Sequence, residues 1–190
     1  MKKNIKIILT VIFCFLLIIL ILFIRKMILI NQFLSFSIDN LDTFSIIEKR
    51  YNTNAELYNL IGIYKYKENW HYVINDKDIY FTDNDNEMVV IADGVKSKQE
   101  KYELEDKIQL YSTYLNWNSK SVLEKIRYIF LVRIESTTYN NELVYKVSFN
   151  NNTWYLNKEN YVPVAFEDIS LTSKFEYNKM VEKENTIMPE

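Results

Sequence analysis

A single cysteine, Cys14, excludes any disulfide within the chain and leaves the fold to packing alone. Histidine is equally scarce, with only His71, so there is no Cys/His cluster of the kind a structural zinc site requires. Gly62 and Gly94 are the only glycines in 190 residues, far below the usual share of ~7%. Tight turns must then be made by other residues, and asparagine clusters stand where turns are needed, since Asn tolerates the left-handed region. Proline is limited to two residues. No Pro/Gly-rich linker divides the chain and no repeat recurs at a fixed period, so one folded domain is expected. Carboxylates are missing altogether from the first 30 residues.

That gap coincides with the chain's longest apolar run. Ile7 to Ile24 reads IILTVIFCFLLIILILFI, interrupted only by Thr10 and Cys14. Eighteen helical residues at ~1.5 Å each span ~27 Å, close to the ~30 Å hydrocarbon core of a bilayer. A cleaved secretory signal has a shorter apolar region and a small-x-small site directly after it. Here Arg25-Lys26-Met27-Ile28-Leu29-Ile30 follows, and Ser35 and Ser37 lie too far on. Cys14 sits inside the run behind Phe13, which does not suit lipidation. The run is therefore expected to stay as a single-pass anchor in the lipid bilayer. Lys2, Lys3, Lys6 and the amino terminus precede it, against Arg25 and Lys26 after it. This bias places the N-terminus in the cytoplasm and the larger part outside the cell membrane. The expected division is a stub and anchor over 1–30, an extracytoplasmic domain over 31–180 and a flexible tail over 181–190. The portion from about residue 36 is expected to fold alone.

Beyond residue 30 the balance is acidic, with 18 basic against 25 acidic side chains and a net charge of −7. A basic nucleic-acid interface is disfavoured, and so is electrostatic adhesion to an anionic lipid surface. Fifteen Tyr, eleven Phe and three Trp supply aromatic surface for a core. Richness in Asn, Lys, Ile and Tyr points to an AT-rich bacterial genome.

Apolar spacing then assigns the elements. Leu34, Ile38, Leu41, Phe44, Ile47 and Tyr51 recur every three or four residues, which predicts an amphipathic helix, with Asp39 or Asp42 capping any break. From Glu56 the period becomes two. Strands are expected at Glu56–Tyr66, Trp70–Ile74, Ile79–Thr82 and Glu87–Ala92, joined by polar turns as an antiparallel meander. Val95–Asp106 reads as a loop or ragged edge strand, and Ile108–Trp117 as strand or helix. Ser119 or Ser121 opens a helix whose face is Val122, Ile126, Ile129 and Phe130. Strands return at Leu131–Glu135, Leu143–Phe149, Thr153–Leu156, near Val162 and at Phe175–Met180. In Leu143–Phe149, Leu143, Tyr145, Val147 and Phe149 are expected on one face, with Val144, Lys146 and Ser148 on the other. Pro163 suits only the first residues of a strand or an edge.

The order Ile134-Glu135, Tyr139-Asn140-Asn141-Glu142, Tyr145-Lys146-Val147, Trp154 to Glu159 and Val162-Pro163-Val164 resembles the C-terminal half of the LolA-like lipoprotein-carrier superfamily, which includes periplasmic sensors of the RseB type. Asn157 stands for the usual Asp of its turn, Asn160-Tyr161 for Thr-Gly, and Asn141 for a turn glycine. The resemblance implies an α+β fold: a curved, half-barrel-like antiparallel sheet covered by one or two helices, whose hollow can hold acyl chains. No residue for ligand release matches, so none is carried over.

The residues give no catalytic signature. His71 has no nucleophile near it in sequence, and Asp83, Asp85 and Glu87 alternate like calcium ligands without the glycine or the distal bidentate Glu such a loop needs. No cofactor, metal or enzymatic activity is expected. Two functions remain: an envelope domain binding or sensing a lipid or apolar ligand, or a module that holds an envelope protein partner. Trp70, Tyr72, Tyr145 and Trp154 are the candidate ligand-binding residues. A hollow of ~300 Å³ or more lined by them favours the first function, and a filled interior the second.

Overall fold

The computed structural model describes residues 2–36, 41–84, 86–101, 108 and 117–188. Ile38, Asp39, Asp85 and most of the Ile108–Trp117 stretch lie outside these. Helix α1, Lys2–Ser35, is continuous, and Lys6–Ser35 is long and apolar enough to cross a membrane. Six strands follow: β1 Thr43–Tyr51, β2 Leu57–Tyr66, β3 Asn69–Ile74, β4 Lys77–Thr82, β5 Glu87–Ala92 and β6 Val95–Glu100. Helix α2, Val122–Leu131, precedes β7 Arg133–Tyr139, β8 Glu142–Phe149, β9 Asn152–Asn157, β10 Pro163–Glu167 and β11 Thr172–Asn178.

The strands form one antiparallel sheet in the order β6-β5-β4-β3-β2-β1-β11-β10-β9-β8-β7. Two meanders are thus joined where β1 pairs with β11, and the sheet stays open at β6 and β7. This is the α+β, mainly antiparallel architecture expected from the pattern. The turns follow the asparagine reading. Asn140 and Asn141 both have positive φ between β7 and β8, as do Asp93 and Gly94 between β5 and β6, and Asn75 and Asn150 serve two further hairpins. Two consecutive left-handed residues give a turn whose twist matches that of the flanking strands.

Register places Phe44 and Ile46, Ile61 and Ile63, Trp70 and Tyr72, Val147, Trp154 and Leu156, Phe166 and Phe175 on one face. Ile30 and Phe33 of α1 and Tyr128 and Ile129 of α2 pack against it, with Ile108 in the same core. The domain therefore begins inside α1, because Ile30 and Phe33 are fully buried. At the other end, Lys183–Thr186 forms a 3-10 turn within the expected tail, and Thr186 is buried.

Two expectations change. The helix predicted through Tyr51 is strand β1 from Thr43 onward. Phe44, Ser45 and Ile46 are all buried, so apolar positions on both faces of a central strand imitate helical spacing. In α2, capped as expected by the reciprocal Ser121–Glu124 box, the buried residues are Tyr128 and Ile129, while Val122 and Phe130 are exposed. In β8 the expected alternation holds, with Tyr145 opposite Leu156 and Val147 opposite Trp154, while Leu143 is exposed and Val144 buried.

Candidate functional site

The four aromatic residues singled out from the sequence share the inner face but do not converge. Trp70 and Tyr72 sit in the first meander, with ring centroids 5.9 Å apart and Phe81 at 6.0 and 5.5 Å from them. Phe44 lies 6.0 Å from Trp70, and the Lys65 ammonium rests 4.5 Å above its ring. Tyr145 belongs to the second meander, where Phe33 of α1 meets it at 5.4 Å and meets Tyr161 at 5.6 Å. Trp154 is 0% exposed and packs 4.7 Å from Phe166. Trp70 is only 6% exposed. Both tryptophans are thus committed to the core, while Tyr72 and Tyr145 are half-buried at its margin.

Between the two groups lies a polar patch that the sequence reading missed. Glu48 is 0% exposed and pairs with Arg50 at 2.9 and 3.2 Å, and the Ser173 hydroxyl donates to Glu48 Oε1 at 2.6 Å. Asn59, opposite Arg50, has a buried Oδ1 without a partner among the described residues. The period-two series Phe44-Ile46-Glu48-Arg50 was the available signal, hidden by the helical reading of the same stretch. Glu48 and Arg50 are two residues apart on one strand, so the pair is local, and burial makes it costly to break.

The outer face carries His71 in a stack. Its ring lies 4.2 Å from Tyr80 and 5.3 Å from Tyr64. Nε2 meets Asp78 Oδ1 at 2.8 Å, and Nδ1 meets the Asn185 carbonyl oxygen at 2.9 Å. Both partners are hydrogen-bond acceptors. Burial, with the Asp78 charge beside them, raises the pKa of the Tyr64 and Tyr80 hydroxyls. No signal in the sequence connects His71 to a residue 114 positions away.

Of the cavities formed by described residues, one joins apolar and cationic groups beside a helix. It has a volume of about 480 Å³ and lies between α2 and the end of β8. Tyr128, Leu131 and Phe149 give it apolar walls, and Lys120 and Arg127 give it positive charge opposite Glu124. The Phe149 ring closes its floor 4.5 Å from Tyr128. Another, of about 570 Å³ near Asn157 and Glu176, has mainly polar walls, and one of about 440 Å³ near Ile169 and Leu171 mixes polar and apolar ones. None of them is lined by Trp70, Tyr72, Tyr145 or Trp154. Among the described residues no cluster of three His, Cys, Asp or Glu could hold a metal ion. In comparisons with known proteins, no family model and no curated protein matches the chain.

Proposed function

We propose that the chain is a non-enzymatic, membrane-anchored protein of the cell envelope. Residues 7–24 hold it in the bilayer with the N-terminus in the cytoplasm. Its extracytoplasmic sheet domain binds or senses a lipid or another apolar, anionic group. The observation that carries this reading is the groove between α2 and β8, where Leu131, Tyr128 and Phe149 meet Lys120 and Arg127. Such walls suit an acyl chain with a negative head. The open antiparallel sheet covered by helices also agrees with the LolA-like resemblance. A ferrying carrier, however, must leave the membrane. Here α1 enters the core without a break, so the domain is mounted in place and sensing is the better reading.

The test is photocrosslinking of the full chain in vesicles containing a diazirine-bearing phosphatidylglycerol. Adducts are expected at Tyr128, Leu131 or Phe149, and Arg127→Glu should reduce them. Competing fatty acids should gain roughly tenfold in potency for every two added methylenes, at ~0.8 kcal/mol each. Adducts confined to residues 7–24 would reject the lipid reading. The filled inner face around Trp154 and Phe33 favours the second function, a module holding an envelope protein, which would then lead.

A further inference from the structure

We infer that α2 is an interfacial helix, with Val122, Leu123, Ile126 and Phe130 embedded in the outer leaflet beside the anchor. The inference rests on reading α1 as a membrane anchor and concerns a different surface from the groove. Tyr128 and Ile129 already bury one side of α2 against the sheet. The strip beside Ile129, turned away from Tyr128, is also apolar: Val122 is 72% exposed, Leu123 79% and Phe130 65%. Val122, Ile126 and Phe130 follow each other at i, i+4 spacing, so they form one continuous stripe, with Leu123 next to it. Exposed apolar patches of this kind mark a contact surface rather than ordinary scatter.

The occupant follows from what lies alongside. The Phe130 ring is 5.1 Å from that of Phe23, the second-last residue of the apolar run, and the Lys26 ammonium donates to the Phe130 carbonyl at 3.4 Å. The C-terminal end of α2 is thereby fixed at the depth where the anchor leaves the hydrocarbon. Its stripe is continuous with the exposed apolar surface of α1. Charge agrees: from Trp117 to Arg133 the chain has Lys120, Lys125, Arg127 and Arg133 against Glu124 alone, within a domain that is otherwise acidic. An apolar stripe flanked by Lys and Arg is the pattern of a helix lying in the plane of a bilayer surface. The domain then touches the membrane at two places, α1 and α2, and cannot rotate freely about its anchor.

The experiment places single nitroxide labels on the full chain in a Cys14→Ser background. The protein is reconstituted in vesicles of phosphatidylcholine and phosphatidylglycerol in equal parts. Accessibility to oxygen and to a water-soluble nickel chelate is measured at Leu123→Cys, with Ile18→Cys as the bilayer reference and Thr53→Cys as the water reference. Val122→Cys provides a second label should the first disturb folding. We expect the oxygen-to-nickel ratio at Leu123 to stand several-fold above that at Thr53, on the side of Ile18. A ratio matching Thr53 while Ile18 stays in lipid overturns the inference and leaves the anchor intact. Shielding of Leu123 from both reagents assigns the stripe to a protein contact and also overturns it. Exposure of Ile18 to nickel removes the anchor reading and this inference together.

Discussion

Glu48 is a carboxylate held wholly away from solvent. It is fully buried, faces Arg50 and accepts from Ser173. Removing one member of such a pair costs ~3–5 kcal/mol, whereas replacing both with apolar groups is often neutral. Glu48→Gln should therefore lower the urea midpoint by a corresponding amount, and the double change Glu48→Leu with Arg50→Leu should recover most of it. A single variant as stable as the parent would show that the pair is incidental. Tyr155 makes a second residue-scale case. Burial, and then its hydrogen bond to Glu167 at 3.0 Å, push its hydroxyl from 10.0 up to about 12. The neutral form is favoured in the folded state, so this contribution is fully present below the unfolded value. It is lost as pH rises from 10.0 toward about 12. Tyr64, Tyr80, Tyr139 and Tyr177 shift in the same direction, so their contributions fade with it. Denaturant midpoints should fall across that window, and Tyr155→Phe should flatten the fall. An unchanged slope in the variant would assign the alkaline loss to other groups.

At the scale of elements, the hairpins were legible because their alternation and asparagine turns are local features. β3, β4 and β5 match their sequence patterns within a few residues, and Pro163 opens β10 as its missing donor requires. The capping box of α2 was equally local. β1 was hidden, since Ile47 and Tyr51 on its other face complete a helical spacing with Phe44 and masked the period-two series Phe44-Ile46-Glu48-Arg50. The candidate site was legible only in part: Trp70, Tyr72, Tyr145 and Trp154 stand out as aromatic candidates, but their common face and which of them is core depend on strand order and on where α1 and α2 lie. The C-terminal 3-10 turn depends wholly on tertiary contact. His71 holds it through the Asn185 carbonyl, and Thr186 is buried nearby. His71→Ala should leave the sheet folded and speed hydrogen exchange of the amides at 183–186, with little change in β8 or β9. Unaltered exchange there would mean that packing of Thr186 alone secures the turn.

For the whole molecule, the decisive feature is that one helix carries both the run long and apolar enough to cross a membrane and part of the sheet's core. Sequence patterning alone divides the chain at 30/31, whereas Ile30 is fully buried and Phe33 only 1% exposed in the sheet's apolar cluster. Removing such side chains costs ~2–5 kcal/mol for Ile and ~3–5 kcal/mol for Phe. A domain's total stability is only ~5–15 kcal/mol, so losing both leaves little in reserve. A fragment beginning at Phe36 should thus be β-rich but poorly cooperative, with an inner face that binds a hydrophobic dye. One beginning at Met27 keeps Ile30 and Phe33 without the membrane run, and should unfold in a single sharp transition. Thermal melts followed by circular dichroism compare the two directly. Equal cooperativity and equal midpoints would mean that the last turns of α1 merely lie against the sheet. The apolar helix would then be a loose tether for the domain rather than part of a shared core, and a fixed sensing domain would lose its structural basis.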